Sequence, residues 1–301
     1  MSYPYVTDIL NALLGTHWQL PIPVFGLIVV VAVAAATLVA RVEVARLCGQ
    51  SRLPTGAAGI VPDLAMITGI AGIVGARLFY MLDHPAWFLS DPPAMIFSRS
   101  GFSIYGGLSL GVAAGMIFLR RRAIPIRPML DAVAPSMMLG YAIGRQACEV
   151  VGDGDWGIAA NMALKPGWLP DWLWAQSYEG NIAGVTIAPP GVYPTPIYES
   201  LAALILFGAL WALRRHGHRP GYLFSLYLLF AGFERLLIEK IRINIEHPFL
   251  GLSLTQAETV SVLVIAGGLA GVLLTLKPRR PWIRIAFSIG VLSALSACMP
   301  R

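Results

Sequence analysis

Three arginines, Arg77, Arg145 and Arg235, stand inside apolar runs of the chain. An arginine at mid-membrane depth costs from ~3 to more than ~10 kcal/mol, so each needs a reason to be there. Carboxylates and hydroxyls gather near them. Glu149 follows Arg145, Glu234 precedes Arg235, Tyr198-Glu199 opens another apolar run, and Gln256 and Glu258 open a further one. Arg235, Glu239 and Arg242 fall at i, i+4 and i+7, so they share one helical face and Arg235 can pair with Glu239. Two readings follow. One is a self-satisfied ion pair. The other is an anion fork, with Arg145 converging from a separate helix. A planar guanidinium matches phosphate bidentately, and the abundant phosphate at bilayer depth is a lipid headgroup. The turn Gly152-Asp153-Gly154-Asp155-Trp156-Gly157 comes directly after Arg145, and its glycines suit a tight backbone beside a ligand. It lacks the ligand spacing of a calcium loop, and Cys48, Cys148 and Cys298 are far apart with no metal spacing, so no metal site is expected.

The elements that must position these groups are read from composition. The chain has 301 residues, 56% hydrophobic and 13% charged, with a mean hydropathy of +0.68. Soluble domains carry roughly 25% charged residues, so the composition excludes an ordinary soluble protein and also a disordered one. Apolar runs long enough to cross a bilayer lie at 22–40, 57–81, 104–119, 129–149, 196–213, 221–239 and 256–276, with a shorter eighth at 283–298. The expectation is an all-α integral membrane protein, a polytopic bundle of 7–8 transmembrane helices forming one domain over 1–301. No cleavable signal peptide is evident. Of the 22 Lys and Arg, 14 fall in 41–56, 120–128, 214–220 and 277–284, and 5 in the alternate segments. Positive loops stay inside, which puts the N-terminus and the long connection 150–195 outside. That connection carries Trp156, Trp168, Trp172 and Trp174 and reads as an arm on the outer leaflet or an interfacial anchor. The intramembrane polar groups then crowd one depth near the outer surface, against the through-path a transporter needs. No basic stripe suits nucleic acid. Gly107, Gly111 and Gly115, spaced by four, read as helix packing.

Several pieces, in this order, resemble the prolipoprotein diacylglyceryl transferase family. They are Ser103-Ile104-Tyr105-Gly106-Gly107-Leu108; Gly144-Arg145, Cys148 and the Gly152–Gly157 turn; Pro196-Ile197-Tyr198-Glu199; Gly232-Phe233-Glu234-Arg235 with Glu239 and Arg242; and Thr255-Gln256. The resemblance implies a multi-pass enzyme of the bacterial inner membrane without cofactor. It implies transfer of a diacylglyceryl group from phosphatidylglycerol to the lipobox cysteine thiol beside a prolipoprotein signal peptide. On that reading Arg145 and Arg235 hold the donor phosphate and Glu239 orients Arg235. Tyr105, or Asp153, helps deprotonate the thiol, and Gly106 and Gly107 let the headgroup approach. Arg77, Tyr198, Glu199 and Gln256 complete the substrate site. The chain departs from the family at Tyr105, where His is usual, at Cys148, where Asn is usual, and at Phe25-Gly26, where Tyr-Gly is usual. The departures leave open a lipid-binding or scaffolding homologue with altered or lost activity.

Overall fold

The computed structural model describes residues 2–97, 101–243, 246–249 and 252–276. Each of the seven long apolar runs is a helix, and the run at 283–298 lies outside the described residues. The chain divides into two compact units, 1–36 with 133–301, and 37–132. The elements in chain order are α1 (Val6–Leu14), α2 (Val24–Gly49), α3 (Val61–Asp83), α4 (Pro85–Ser90), α5 (Pro92–Phe97), α6 (Ile104–Arg121), α7 (Ile126–Val151), α8 (Thr195–Leu213), α9 (Tyr222–Glu239), β1 (Glu246–Phe249), β2 (Leu252–Thr255) and α10 (Gln256–Thr275). The short β1–β2 pair is antiparallel, a small exception to an all-α expectation.

Among the described residues, four helical stretches, Val24–Gly49, Ala57–Asp83, Thr195–Leu213 and Gln256–Thr275, are long and apolar enough to cross a membrane. Their sequences are rich in Leu and in Val and Ile, and the β-branched pair would favour strands in water. In hydrocarbon, a helix is what satisfies every backbone N–H and C=O within one segment. Their large side chains point outward, for example Leu27, Val30, Val33 and Leu38 on α2, all at least half exposed. Such a surface suits lipid and would aggregate in water. α2 runs 26 residues and ends at Gly49, nine past its expected end at 40. The extension beyond the apolar run carries the Glu43–Arg46 pair of the same face. Polar residues continue a helix once it leaves the hydrocarbon, and hydropathy does not register that continuation.

In the unit 37–132, α3 packs along α6. The spacing-of-four glycines line the contact, with a Cβ on Gly107 3.1 Å from Gly72 O and one on Gly111 3.2 Å from Thr68 O, but Gly106 is the tightest point, where a Cβ would sit 2.4 Å from Gly75 O and 2.4 Å from Phe79 Cβ. The backbones approach as closely as two glycine surfaces permit.

In the other unit, α9 packs along α10 and α8. The core joins Met138 and Ala142 of α7, Ala203 and Leu210 of α8, Leu226, Leu229 and Leu236 of α9, and Ile265 and Val272 of α10. The long connection between α7 and α8 folds back over the helix ends. Its backbone pairs with itself at Gln176–Val192 and Ala159–Val192, and with the end of α9 at Gly157–Arg242. Only glycine fits at 157, since a Cβ there would stand 2.5 Å from Ile241 O. The four tryptophans divide. Trp156 stacks on Tyr178 inside the connection, and Trp174 Nε1 donates to Asn161 O. Trp168 and Trp172 point outward, 82% and 58% exposed. Two of the four are thus tied into the connection itself and two face outward. Tyr178, with φ +45°, is fully buried and held by donating to Glu149 Oε2 at 2.6 Å. Burial first, and then the adjacent carboxylate, push its hydroxyl above the ordinary tyrosine range, so it stays a donor. The N-terminus is tied beneath the same connection. Ser2 N donates to Glu179 O and Tyr3 N to Val150 O, both at 2.7 Å.

Candidate active site

Arg145 projects from the last turns of α7, three residues before Cys148 and ten before Asp155. Its Nη1 donates to Asp155 Oδ2 at 2.5 Å and to Cys148 Sγ at 3.3 Å. Its Nε faces Glu199 Oε2. Glu199 sits in the first turns of α8, completely buried. Its other oxygen, Oε1, accepts from Arg235 Nη1 and Arg242 Nη1, each at 3.3 Å. One carboxylate thus joins guanidinium groups from α7, from α9 and from the segment just after α9. Arg242 Nη2 also donates to Asp155 Oδ1 at 2.5 Å, so Asp155 is gripped from both sides. Burial disfavours the charged form of Asp155, but Arg242 and then Arg145 outweigh it and hold the carboxyl below the usual carboxylate range.

Arg235 pairs with Glu239 at 2.8 Å, as their spacing predicts. Glu239 is itself fixed by Thr255, whose hydroxyl donates to Oε1 at 2.6 Å. Thr255 caps α10 through a capping box with Glu258, and Lys240 Nζ reaches Glu258 Oε1 at 2.5 Å. The chain of contacts runs from α7 through α8 and α9 to the start of α10. Buried charges survive only when paired and hydrogen-bonded, and this network does both. Within it Arg235 is the accessible arginine, its side chain 30% exposed. Arg145 Nη2 and Arg242 Nε are buried donors without a hydrogen-bond partner. Unspent N–H groups on convergent guanidiniums are what an anionic oxygen requires.

The other expected site residues fall as follows. Asp153 Oδ1 accepts from Asp155 N at 3.2 Å, so it shapes the turn, and Asp155 rather than Asp153 meets the arginines. Two carboxylates in one Gly-Asp-Gly-Asp string are indistinguishable in sequence. Tyr198 donates to Leu173 O at 2.6 Å and ties the long connection to α8. Gln256 is exposed in the first turn of α10. In the other unit, Arg77 is buried, donates to Gly101 O at 2.8 Å and lies 4.6 Å from the Phe102 ring centroid. Tyr105 is half-buried in the first turn of α6, Gly106 is buried against α3, and Gly107 has Gly72 O 3.1 Å from its Cβ position. Sequence reading passed over Tyr141, one turn before Arg145 on α7 and within electrostatic reach of Glu199 and Glu234. The i, i+4 spacing to Arg145 was its available signal.

Cys148, Asp153 and Asp155 bring ligand atoms within 4.8 Å of one another. Two guanidinium groups already occupy Asp155, so the charge a cation would neutralise is spent.

The fold and this network define a helical membrane protein whose arginines meet on buried carboxylates at the ends of its helices. Comparison with known proteins gives that class its particulars. Residues 13–274 match the family model described as prolipoprotein diacylglyceryl transferase. Proteins called phosphatidylglycerol–prolipoprotein diacylglyceryl transferase are similar to it. The one from Corynebacterium efficiens is 29% identical over 82% of this chain and 76% of its own length. That from Geobacillus kaustophilus is 34% identical over 69% of this chain and 74% of its own. That from Corynebacterium diphtheriae is 28% identical over 83% and 89%. The chain belongs to the prolipoprotein diacylglyceryl transferase family.

Proposed function

We propose that this protein transfers a diacylglyceryl group from phosphatidylglycerol to the lipobox cysteine thiol of a prolipoprotein, forming a thioether. The observation that carries the reading at the site is Glu199, one buried carboxylate holding Arg145, Arg235 and Arg242 together. When the C–O bond of the lipid breaks, negative charge grows on the departing phosphate. Preorganised guanidiniums stabilise that charge at no reorganisation cost. Arg145 and Arg235 clamp the phosphate, Glu239 holds Arg235 in place, and Asp155 and Glu199 keep the fork planar and aimed. Asp153 fixes the turn that carries Asp155. Tyr198 and Gln256 border the donor in this unit, and in the unit 37–132 Tyr105, Arg77, Gly106 and Gly107 are the substrate positions that the family reading assigns. Cys148, at the position where the family resemblance places Asn, accepts from Arg145 Nη1.

The same reading takes all seven long helices as spans, with the N-terminus and the 150–195 arm on the outer face and the basic loops inside. It makes the chain one transmembrane domain of the bacterial inner membrane. The test is complementation of a strain depleted of its own diacylglyceryl transferase, together with purified protein given phosphatidylglycerol and a lipobox peptide. Thioether product is expected. Stable protein that neither rescues nor forms product refutes the reading.

A further inference from the structure

A thiol must lose its proton before its sulfur becomes a strong nucleophile. The carboxylates near the arginine network in the unit 1–36 with 133–301 are nearly all committed. Asp155 and Glu199 are held by arginines, Glu239 by Arg235 and Thr255, and Glu258 by Lys240. Glu149 receives the Tyr178 hydroxyl, and Asp153 receives an amide of its own turn. A carboxylate whose lone pairs are taken by cations is a poor proton acceptor.

Glu234 differs. It is 7% exposed, and its Oε1 is buried without a hydrogen-bond partner. It neighbours Arg235 on α9 and lies two turns from Tyr227 on the same face. A buried carboxyl with an orphan oxygen is costly in any protein interior and more so at bilayer depth, so it calls for a role. The groups acting on it are Glu199 from α8, Arg145 from α7, and Arg235 and Arg242. Tyr141 from α7 and Tyr227 also lie within its electrostatic reach. The ionisable side chain of α10 is Glu258, already held by Lys240. Glu234 therefore adjoins Arg235 of the proposed phosphate fork along α9 and keeps an unspent acceptor.

We propose that Glu234 is the proton acceptor of the transfer, a catalytic residue of this chain; the inference rests on the transferase reading above. The incoming S–H gives its proton to Glu234 Oε1, and the sulfur lone pair forms the C–S bond at the glyceryl carbon. The C–O bond to phosphate breaks, and its electron pair leaves on the phosphate oxygen. Glu234 then returns the proton to the glycerol phosphate product, so charge and protons balance with no further reactant.

The experiment uses the full-length protein in phosphatidylglycerol-containing nanodiscs with a lipobox peptide, comparing the parent with Glu234→Gln, Glu234→Asp and Asp153→Asn. Glu234→Gln should lose ~10²–10⁴ in kcat, the usual worth of a general base, with little change in donor KM. The acid limb of its pH–rate profile should move up toward ~8.5, where a free thiol ionises unaided. Glu234→Asp keeps a carboxyl and should keep the parent limb at a reduced rate, which a merely structural role would not produce. An inactive parent protein refutes the transferase reading and this one with it. With an active parent, Glu234→Gln within about threefold of it, or with an unmoved limb, overturns the inference alone. A limb that moves in Asp153→Asn instead assigns the proton to Asp153 and also overturns it.

Discussion

Glu199→Gln is the sharpest probe of how the site is held. The side chain is fully buried, with Arg145 on one oxygen and Arg235 and Arg242 each 3.3 Å from the other. Glutamine keeps the shape but replaces one oxygen with an NH₂ donor. Placed toward Arg145, that donor meets the Nε–H; placed the other way, it meets two guanidinium groups. Either orientation leaves donors facing donors and an arginine short of its counter-charge. Removing one partner of a buried ion pair costs ~3–5 kcal/mol. Asp155 still holds Arg145 and Arg242, and Glu239 still holds Arg235, which puts the expectation at ~3 kcal/mol, the lower end of that range. At roughly 2–4 °C per kcal/mol for a chain of this order of size, the midpoint should fall by about 10 °C. The measurement is thermal unfolding in nanodiscs followed by tryptophan fluorescence, with lipid turnover assayed below the transition. Turnover should fall as well, since the arginines lose their common anchor. A midpoint within about 2 °C of the parent would show that Glu199 does not hold the network, and the reasoning about buried charge here would be refuted.

Arg145→Lys and Arg235→Lys keep the charge but lose the planar fork, so each should lower phosphatidylglycerol turnover; two unaffected variants would refute the phosphate clamp. Tyr105→Phe removes one oxygen and should reduce turnover without changing the melting midpoint, whereas a silent variant would remove Tyr105 from the site. Asp155 titrates below its ordinary value when folded, so the stability it contributes is present at neutral pH and disappears as pH falls below ~4. The melting difference between parent and Asp155→Asn should therefore shrink over that window, and a difference that persisted unchanged at low pH would contradict the pairing. Cysteines placed at 121 and 180 in a background without native cysteines should react with an impermeant reagent in intact cells at 180 only; labelling at 121 would reverse the topology.

Much of the fold was legible because hydrocarbon imposes one rule on every residue in it. Length and hydropathy placed seven helices, since a chain in lipid has no other way to satisfy its backbone alone. Local spacing also fixed what one helix can hold by itself, such as Arg235 with Glu239 and the capping box of Thr255 and Glu258. The ends of α2 escaped that rule because the helix continues past the apolar run. That Trp156 and Trp174 are held by contacts inside the connection was not legible either, because an aromatic ring suits a membrane interface and a packed turn equally well. The site depended on contacts between elements far apart in sequence. Nothing in the string of residues said that Glu199 would take arginines 54 positions before it and 36 and 43 after it, or that Asp155 and not Asp153 would meet them. Nor could it show that Glu234, one residue from Arg235, would turn a different way and stay unpaired. Adjacent helical residues point about 100° apart, and only the packing of α7, α8 and α9 decides which direction finds a partner.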